Sequence, residues 1–254
     1  MLADILENPN KPKMDNEKEL LYESKGIDIF DHINQLAIDE ASARRWVWEL
    51  LQNAVDIAVS EQGVSTEFIL TELSAIFKHN GLPFDEASLN HLFFKKSQKR
   101  EKKEGEITIG NFGTGFLTTH LLSKKVEISG VYKKRSGAFT KLASVCLDRS
   151  GDEKNITKAL KQYSFDRDVI ENNADTEYDS NSVENTVFSY IFTENTSGLH
   201  TGKKGIEDLK NALSYAILFI SQIKNLNLFA SKMKLITQMK FMFSMKTQKE
   251  LLEN

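Results

Sequence analysis

Three polar side chains, Glu49, Asn53 and Asp56, follow one another at intervals of four and three in the stretch Trp46-Val47-Trp48-Glu49-Leu50-Leu51-Gln52-Asn53-Ala54-Val55-Asp56. On an α-helix, at about 100° per residue, they fall within about 60° of one another and form one narrow polar stripe. Their chemistry is oxygen chemistry. An amide oxygen on Asn53 suits magnesium, a hard cation that prefers oxygen ligands. A carboxylate one turn away, on Glu49, can accept a proton from an attacking water. Trp46, Val47, Leu50, Leu51, Ala54, Ile57 and Ala58 make much of the remaining girth apolar, so burying the stripe without partners would be costly. Taken alone it has a second reading, a solvated face flanked by core residues.

The segment Gly110-Asn111-Phe112-Gly113-Thr114-Gly115-Phe116 sets three glycines within six residues, ahead of a helical pattern over 117–123. Glycines let the backbone approach a phosphate chain, and free amides at a helix start offer donors and a positive dipole end. A purely structural turn would look the same. The chain contains no G-x-x-x-x-G-K-[ST] loop and no dinucleotide fingerprint, so those two nucleotide folds drop out. A further turn, His79-Asn80-Gly81-Leu82-Pro83-Phe84, closes an apolar run.

The elements that must position these residues can be read from periodicity. Apolar spacings of three and four predict a helix over 40–60, with Gly63 to stop it. Residues 67–70 and 73–77 read as a hairpin, and Asp85 as the N-cap of a short helix to 93. Residues 126–131, 138–147 and 186–192 read as strands, and 206–223 as an amphipathic helix. Residues 95–106 are charged without an apolar period and read as a mobile loop. The acidic, polar stretch 148–185 reads as a surface excursion. Residues 1–25, with Pro9 and Pro12, read as a mobile arm or a loosely docked helix.

Taken in order, E-x-x-x-N-x-x-D on a helix, N-G in a turn after a strand, a charged loop and G-N-F-G-T-G-F before a helix resemble the GHKL (Bergerat-fold) ATPase superfamily. The nearest likeness is to heat-shock-chaperone-like and sacsin-type N-terminal ATP-binding domains, over about residues 40–230. WELLQNAVD resembles the first family motif and IGNFGTGFLTTHLLSKKVEI the glycine-rich one. The resemblance implies an α/β (α+β) two-layer sandwich, with a mixed, largely antiparallel sheet covered on one face by helices. It implies an ATP-binding domain over 26–230, with a lid at 94–115, the insertion at 148–185, and an extension or following domain from 231 to 254.

It also implies ATP and magnesium. Glu49 would be the general base, Asn53 the magnesium ligand and Asp56 a supporting acid. Gly110, Asn111, Phe112, Gly113, Thr114, Gly115 and Phe116 would wrap the phosphates. Lys96 and Ser97 are looser matches near the nucleotide, and Thr186 would close the pocket from the sheet side. The turn departs from the family pattern: His79 stands where an aspartate usually accepts from the adenine amino group, and Pro83 replaces the second glycine. Two readings stay open. Either a neutral His79 accepts that hydrogen bond, or it only caps the turn and the base is read by Asn80, by backbone such as Gly81, or by water.

The function implied is magnesium-dependent ATP binding with slow hydrolysis, a conformational switch that can drive an ATP-dependent homodimer, in the N-terminal part of a larger protein. The rival readings are a non-hydrolysing nucleotide scaffold and a histidine-kinase-type catalytic domain. The latter needs an upstream phosphoacceptor helix, for which residues 1–40 offer only His32. Chaperone-like work, nucleic-acid remodelling and bacterial antiviral defence all use such modules, so the protein partner or client stays unknown.

Bulk properties set the background. A net charge of -3 gives no global pull toward nucleic acid or anionic membrane. The single cysteine, Cys146, excludes an internal disulfide and fits a reducing compartment, and it reads as inert strand packing. No apolar stretch is long enough for a membrane span and the N-terminus lacks a signal core, so the expectation is a cytoplasmic protein. The basic run 95–103 is interleaved with glutamates and reads as a solvated lid rather than a nucleic-acid contact.

Overall fold

The computed structural model describes residues 11–58, 63–94, 115–193, 197–219, 222–230 and 235–240. Its frame is a seven-stranded sheet. The strands are β1 (Val64–Leu70), β2 (Ser74–His79), β3 (Lys125–Lys133), β4 (Phe139–Asp148), β5 (Thr186–Ile191), β6 (Ile223–Ala230) and β7 (Leu235–Lys240). They lie in the order β4-β3-β5-β2-β1-β6-β7. Only β1 and β6 pair in parallel; the other neighbours are antiparallel. Five α-helices, α1 (Lys11–Ile38), α2 (Ser42–Asp56), α3 (Glu86–Phe94), α4 (Glu153–Glu171) and α5 (Gly198–Phe219), cover the sheet, with a 3-10 helix at Phe116–Leu121. The architecture is the expected α/β class.

The strands obey a period of two. In β1, Val64, Thr66, Phe68 and Leu70 are buried while Ser65, Glu67 and Ile69 are less so. The β1–β2 register sets Phe68 opposite Phe77, ring centroids 4.5 Å apart. The Thr71 hydroxyl fixes the hairpin by accepting from the Leu73 and Ser74 amides at 3.1 and 2.9 Å. Phe116, Phe84, Phe77 and His79 then gather around Phe188 of β5.

Helix α2 is tethered to α5. Trp46 donates its indole N–H to the Thr201 carbonyl at 3.1 Å, and Trp48 donates to the Asp208 carboxylate at 2.8 Å. Gly205 makes this approach feasible, because a Cβ there would overlap the Trp46 indole. Both tryptophans therefore serve packing, Trp46 fully buried and Trp48 partly.

Several elements depart from the expectations. Of the two readings for residues 1–25, residues 11–25 follow the docked helix and not the arm: they form the first half of α1, which crosses α4 closely at Gly26, opposite Thr157, while residues 1–10 lie outside the described residues. The expected surface excursion 148–185 contains the 19-residue helix α4, capped by Asp152, which accepts from the Asn155 amide at 3.0 Å. Its buried Ile156, Leu160, Tyr163 and Ile170 carry a helical period that the acidic composition masks. The helix expected over 117–123 is a 3-10 turn, and α5 begins eight residues before the expected 206. The expected end of the domain near 230 falls between β6 and β7, which pair with each other. Among the described residues no helix is long and apolar enough to cross a membrane.

Candidate functional site

With its tryptophans fixed on α5, α2 carries Glu49, Asn53 and Asp56 in three different environments. The Glu49 carboxylate is partly exposed and pairs with Arg45 one turn back at 3.3 Å. It also lies directly on the backbone of Gly115, where any Cβ would overlap it. The last glycine of the G-rich segment is thus needed for close approach, since its φ of -61° is one any residue adopts. From Gly115 the 3-10 turn starts, with its carbonyl accepting from both the amide and the hydroxyl of Thr118, at 3.0 and 2.7 Å.

Asn53 is 6% exposed, and its Nδ2 is buried without a hydrogen-bond partner. An amide in that state loses its hydration and gains nothing in exchange, a cost of about 1–3 kcal/mol. Asp56, one turn further, is half-buried, and burial raises its carboxyl pKa.

The turn after β2 is tied to the end of the same helix. Leu82 donates its amide to the Ile57 carbonyl at 3.0 Å, and Gly81 packs against the Ile57 side chain. His79 is buried, and its Nδ1 accepts the Gly81 amide at 3.2 Å. Burial drives its pKa down to about 3, so the ring is neutral. A neutral imidazole that accepts at Nδ1 carries its proton on Nε2. That nitrogen is a donor. Of the two readings open for His79, acceptance from an adenine amino group loses its acceptor, and the turn cap is what the geometry contains.

Asn80 is equally committed. Its Oδ1 accepts from the Ser65 amide at 2.6 Å and its Nδ2 donates to the Ser180 carbonyl at 3.0 Å. The side chain expected as an alternative base reader instead braces β1 against the segment leading into β5. Thr186 stands opposite His79 in the β2–β5 register, is 1% exposed, and has a buried hydroxyl without a partner. Phe116 is a core residue, its ring 5.6 Å from Phe188 and 6.1 Å from His120.

The fold therefore brings Glu49 to Gly115, the turn 79–82 to the end of α2, and Thr186 to His79. Lys96, Ser97, Gly110, Asn111, Phe112, Gly113 and Thr114 lie outside the described residues. Among the described residues no group of three or more His, Cys, Asp or Glu converges to hold a metal. A cation at Asn53 would accordingly draw its other ligands from water and the oxygens of a bound substrate, the usual habit of magnesium.

Sequence reading passed over a second concentration of buried polar groups, Thr119, His120, Arg149 and Tyr190. Thr119 and His120 are adjacent in the 3-10 turn, Arg149 follows Asp148 just past β4 and Tyr190 lies in β5, so no sequence motif groups them. No family model matches the chain, and no curated protein matches it.

Proposed function

We propose that the protein binds a nucleoside triphosphate, ATP, together with magnesium, along the α2 stripe, and hydrolyses it slowly. One observation carries the reading: Asn53 is buried with its Nδ2 donor unpaired, one turn from a Glu49 carboxylate that lies against Gly115. Evolutionarily cheap apolar residues would relieve that cost, so the polar pair is explained by a ligand that uses it.

Bound magnesium would neutralise charge on the phosphate oxygens, held through the amide oxygen of Asn53. Glu49 takes the proton of the attacking water, and Arg45 holds its carboxylate in place. The Thr186 hydroxyl offers a further polar contact from the sheet. Because His79 presents a donor, recognition of the base amino group falls to Asp56, a half-buried carboxylate beside the 79–82 turn. Slow turnover makes the protein a switch between ATP and ADP states, with a homodimer formed in the ATP state.

The test is a thermal-shift and calorimetric panel of ATP, ADP, GTP and a non-hydrolysable ATP analogue, with and without magnesium, followed by phosphate release from wild type and Glu49→Ala. Magnesium-dependent stabilisation by ATP and a loss of turnover of about 100-fold or more in Glu49→Ala are expected. Equal release rates would leave a non-hydrolysing scaffold, and no shift with any nucleotide would end the reading.

A further inference from the structure

Helices α1 and α4 lie side by side and antiparallel. Gly26 of α1 packs on Thr157, where a Cβ would overlap the threonine hydroxyl, while Glu19, two turns earlier on α1, pairs with Lys161, one turn later on α4. The seam between the helices opens outward into a groove of about 500 Å³. Its floor is closed, because Thr157 is 8% exposed and its hydroxyl donates to the Glu153 carbonyl at 2.8 Å. Glu23 and Ile27 of α1 form one wall; Lys154, Lys158 and Lys161 of α4 form the other, with Glu153 at its first turn.

The two walls are opposite in charge. Intervals of four and three set the three lysines on one face of α4. On α1 the seam side carries Glu19 and Glu23, with Leu20 and Ile27 between and beyond them, 63% and 50% exposed. Leu20 and Ile27 are seven residues apart and so share that side, while Lys18 and Lys25 fall about 180° round the helix from it. Among the described residues Glu23, Lys154 and Lys158 make no ion pair.

The geometry points to this seam as a self-complementary face through which two copies of the chain pair, α1 of each lying on α4 of the other. A two-fold axis along the seam exchanges the walls and keeps each residue at its own level, so Glu23 meets Lys158 of the second copy and Ile27 meets its own equivalent. Acid then lies on base in both halves, and the exposed aliphatic groups are covered. The other occupants fit less well. No buried polar atom of the groove lacks a partner, so nothing in it calls for a small polar ligand. An anionic membrane would be repelled by Glu19 and Glu23. The seam is as long as the 19-residue α4, about 28 Å, and two helices or about 20 Å wide, so pairing covers on the order of 600 Å² of each copy, the low end for a specific contact. Both helices are complete without nucleotide, and the pairing stands or falls apart from the nucleotide reading.

The experiment is sedimentation velocity of the whole chain without nucleotide, over a concentration series. A reversible dimer with a dissociation constant on the order of 10 µM is expected, weakened about tenfold between about 50 and about 500 mM sodium chloride. Ile27→Asp, Lys158→Glu and Glu23→Lys should each weaken it about tenfold or more, with the unfolding midpoint of these exposed positions little changed. The decisive arm mixes Lys158→Glu chains with Glu23→Lys chains. Each variant alone opposes like charges twice, whereas the mixed dimer restores two opposite pairs and should form about as tightly as wild type. A monomer at every concentration, a dimer that ignores the reversals, or a mixture no tighter than its components would overturn the proposal. Binding to phosphatidylserine vesicles without self-association would give the groove to a membrane and overturn it equally.

Discussion

Asn53 and Asn80 lie at opposite ends of what the sequence presents as one site, and the fold treats them in opposite ways. Asn80 spends both ends of its amide on backbone groups of Ser65 and Ser180. Asn53 is more deeply buried and leaves Nδ2 unpaired. The same contrast separates their neighbours: His79 is satisfied by its own turn through the Gly81 amide, while Asp56 sits half-buried at a cost. The turn is built for stability and the stripe is not. A polar residue that stabilises nothing is the one with chemistry to spare, because selection for folding alone would have removed it.

The sharpest way to break this comparison is to truncate both asparagines. Asn53→Ala should lower magnesium-dependent nucleotide affinity by about 100-fold, close to 2.7 kcal/mol, while shifting the folding free energy by less than about 1 kcal/mol, since no protein hydrogen bond is lost. Isothermal titration and urea unfolding on the same preparation read the two quantities. A variant that binds as wild type, or one that unfolds, would show that Asn53 belongs with the turn.

Asn80→Ala should do the reverse. It strands the Ser65 amide and the Ser180 carbonyl, and with about 1–3 kcal/mol for each buried group left unpaired, a loss near 2 kcal/mol is expected. The denaturant midpoint should fall with an unchanged slope. Affinity measured well below the midpoint should stay within a factor of about three. A large loss of nucleotide binding with unchanged stability would restore Asn80 as a base reader.

That division was only half legible in the sequence. The β1–β2 hairpin and the α2 stripe follow from periods of two and 3.6, which local residues carry themselves. The task of Asn80 does not, because Ser180 is 100 positions away and nothing nearby hints that its carbonyl will need a donor. Helix α4 was hidden for a related reason: the stretch 148–185 that contains it is rich in Asp, Glu, Asn and Ser, while four buried apolar positions supply the period. Strand β6 was not read as an element at all, because what defines it is its parallel pairing with β1, more than 150 positions earlier in the chain.

Acidification probes the turn through His79. Its folded pKa lies near 3, below the unfolded value, so its contribution is full above about pH 6.5 and is lost as the pH falls toward 3. At pH 5.5 the unfolded chain holds the extra proton, and the stability cost from this one group is about 1.4 kcal/mol. His120, shifted the same way, adds to it. Nucleotide affinity of the folded protein, in contrast, should show no step near pH 6.5 between pH 8 and 5.5, since His79 does not titrate there. A step in affinity at that pH would show that the ring protonates in place and touches the ligand.

The smallest effect is the one that best separates the stripe from the turn. Asp56 has a folded pKa raised by burial, so its ionisation opposes folding once the pH exceeds that value. Its stabilising influence is present below about pH 3.9 and lost on the way up. Asp56→Asn should therefore raise the unfolding midpoint at pH 7 and leave it unchanged near pH 3. Because the carboxyl is only half-buried, water screens much of the penalty, and the gain should stay under about 1 kcal/mol. If Asp56 accepts from the base amino group, the same substitution should lower the preference for ATP over a triphosphate lacking that amino group. A protein made more stable and less discriminating by one atom exchange is the signature of a residue kept for its ligand. If Asp56→Asn destabilises at neutral pH, the carboxylate has a structural partner, and the contrast between helix and turn is lost.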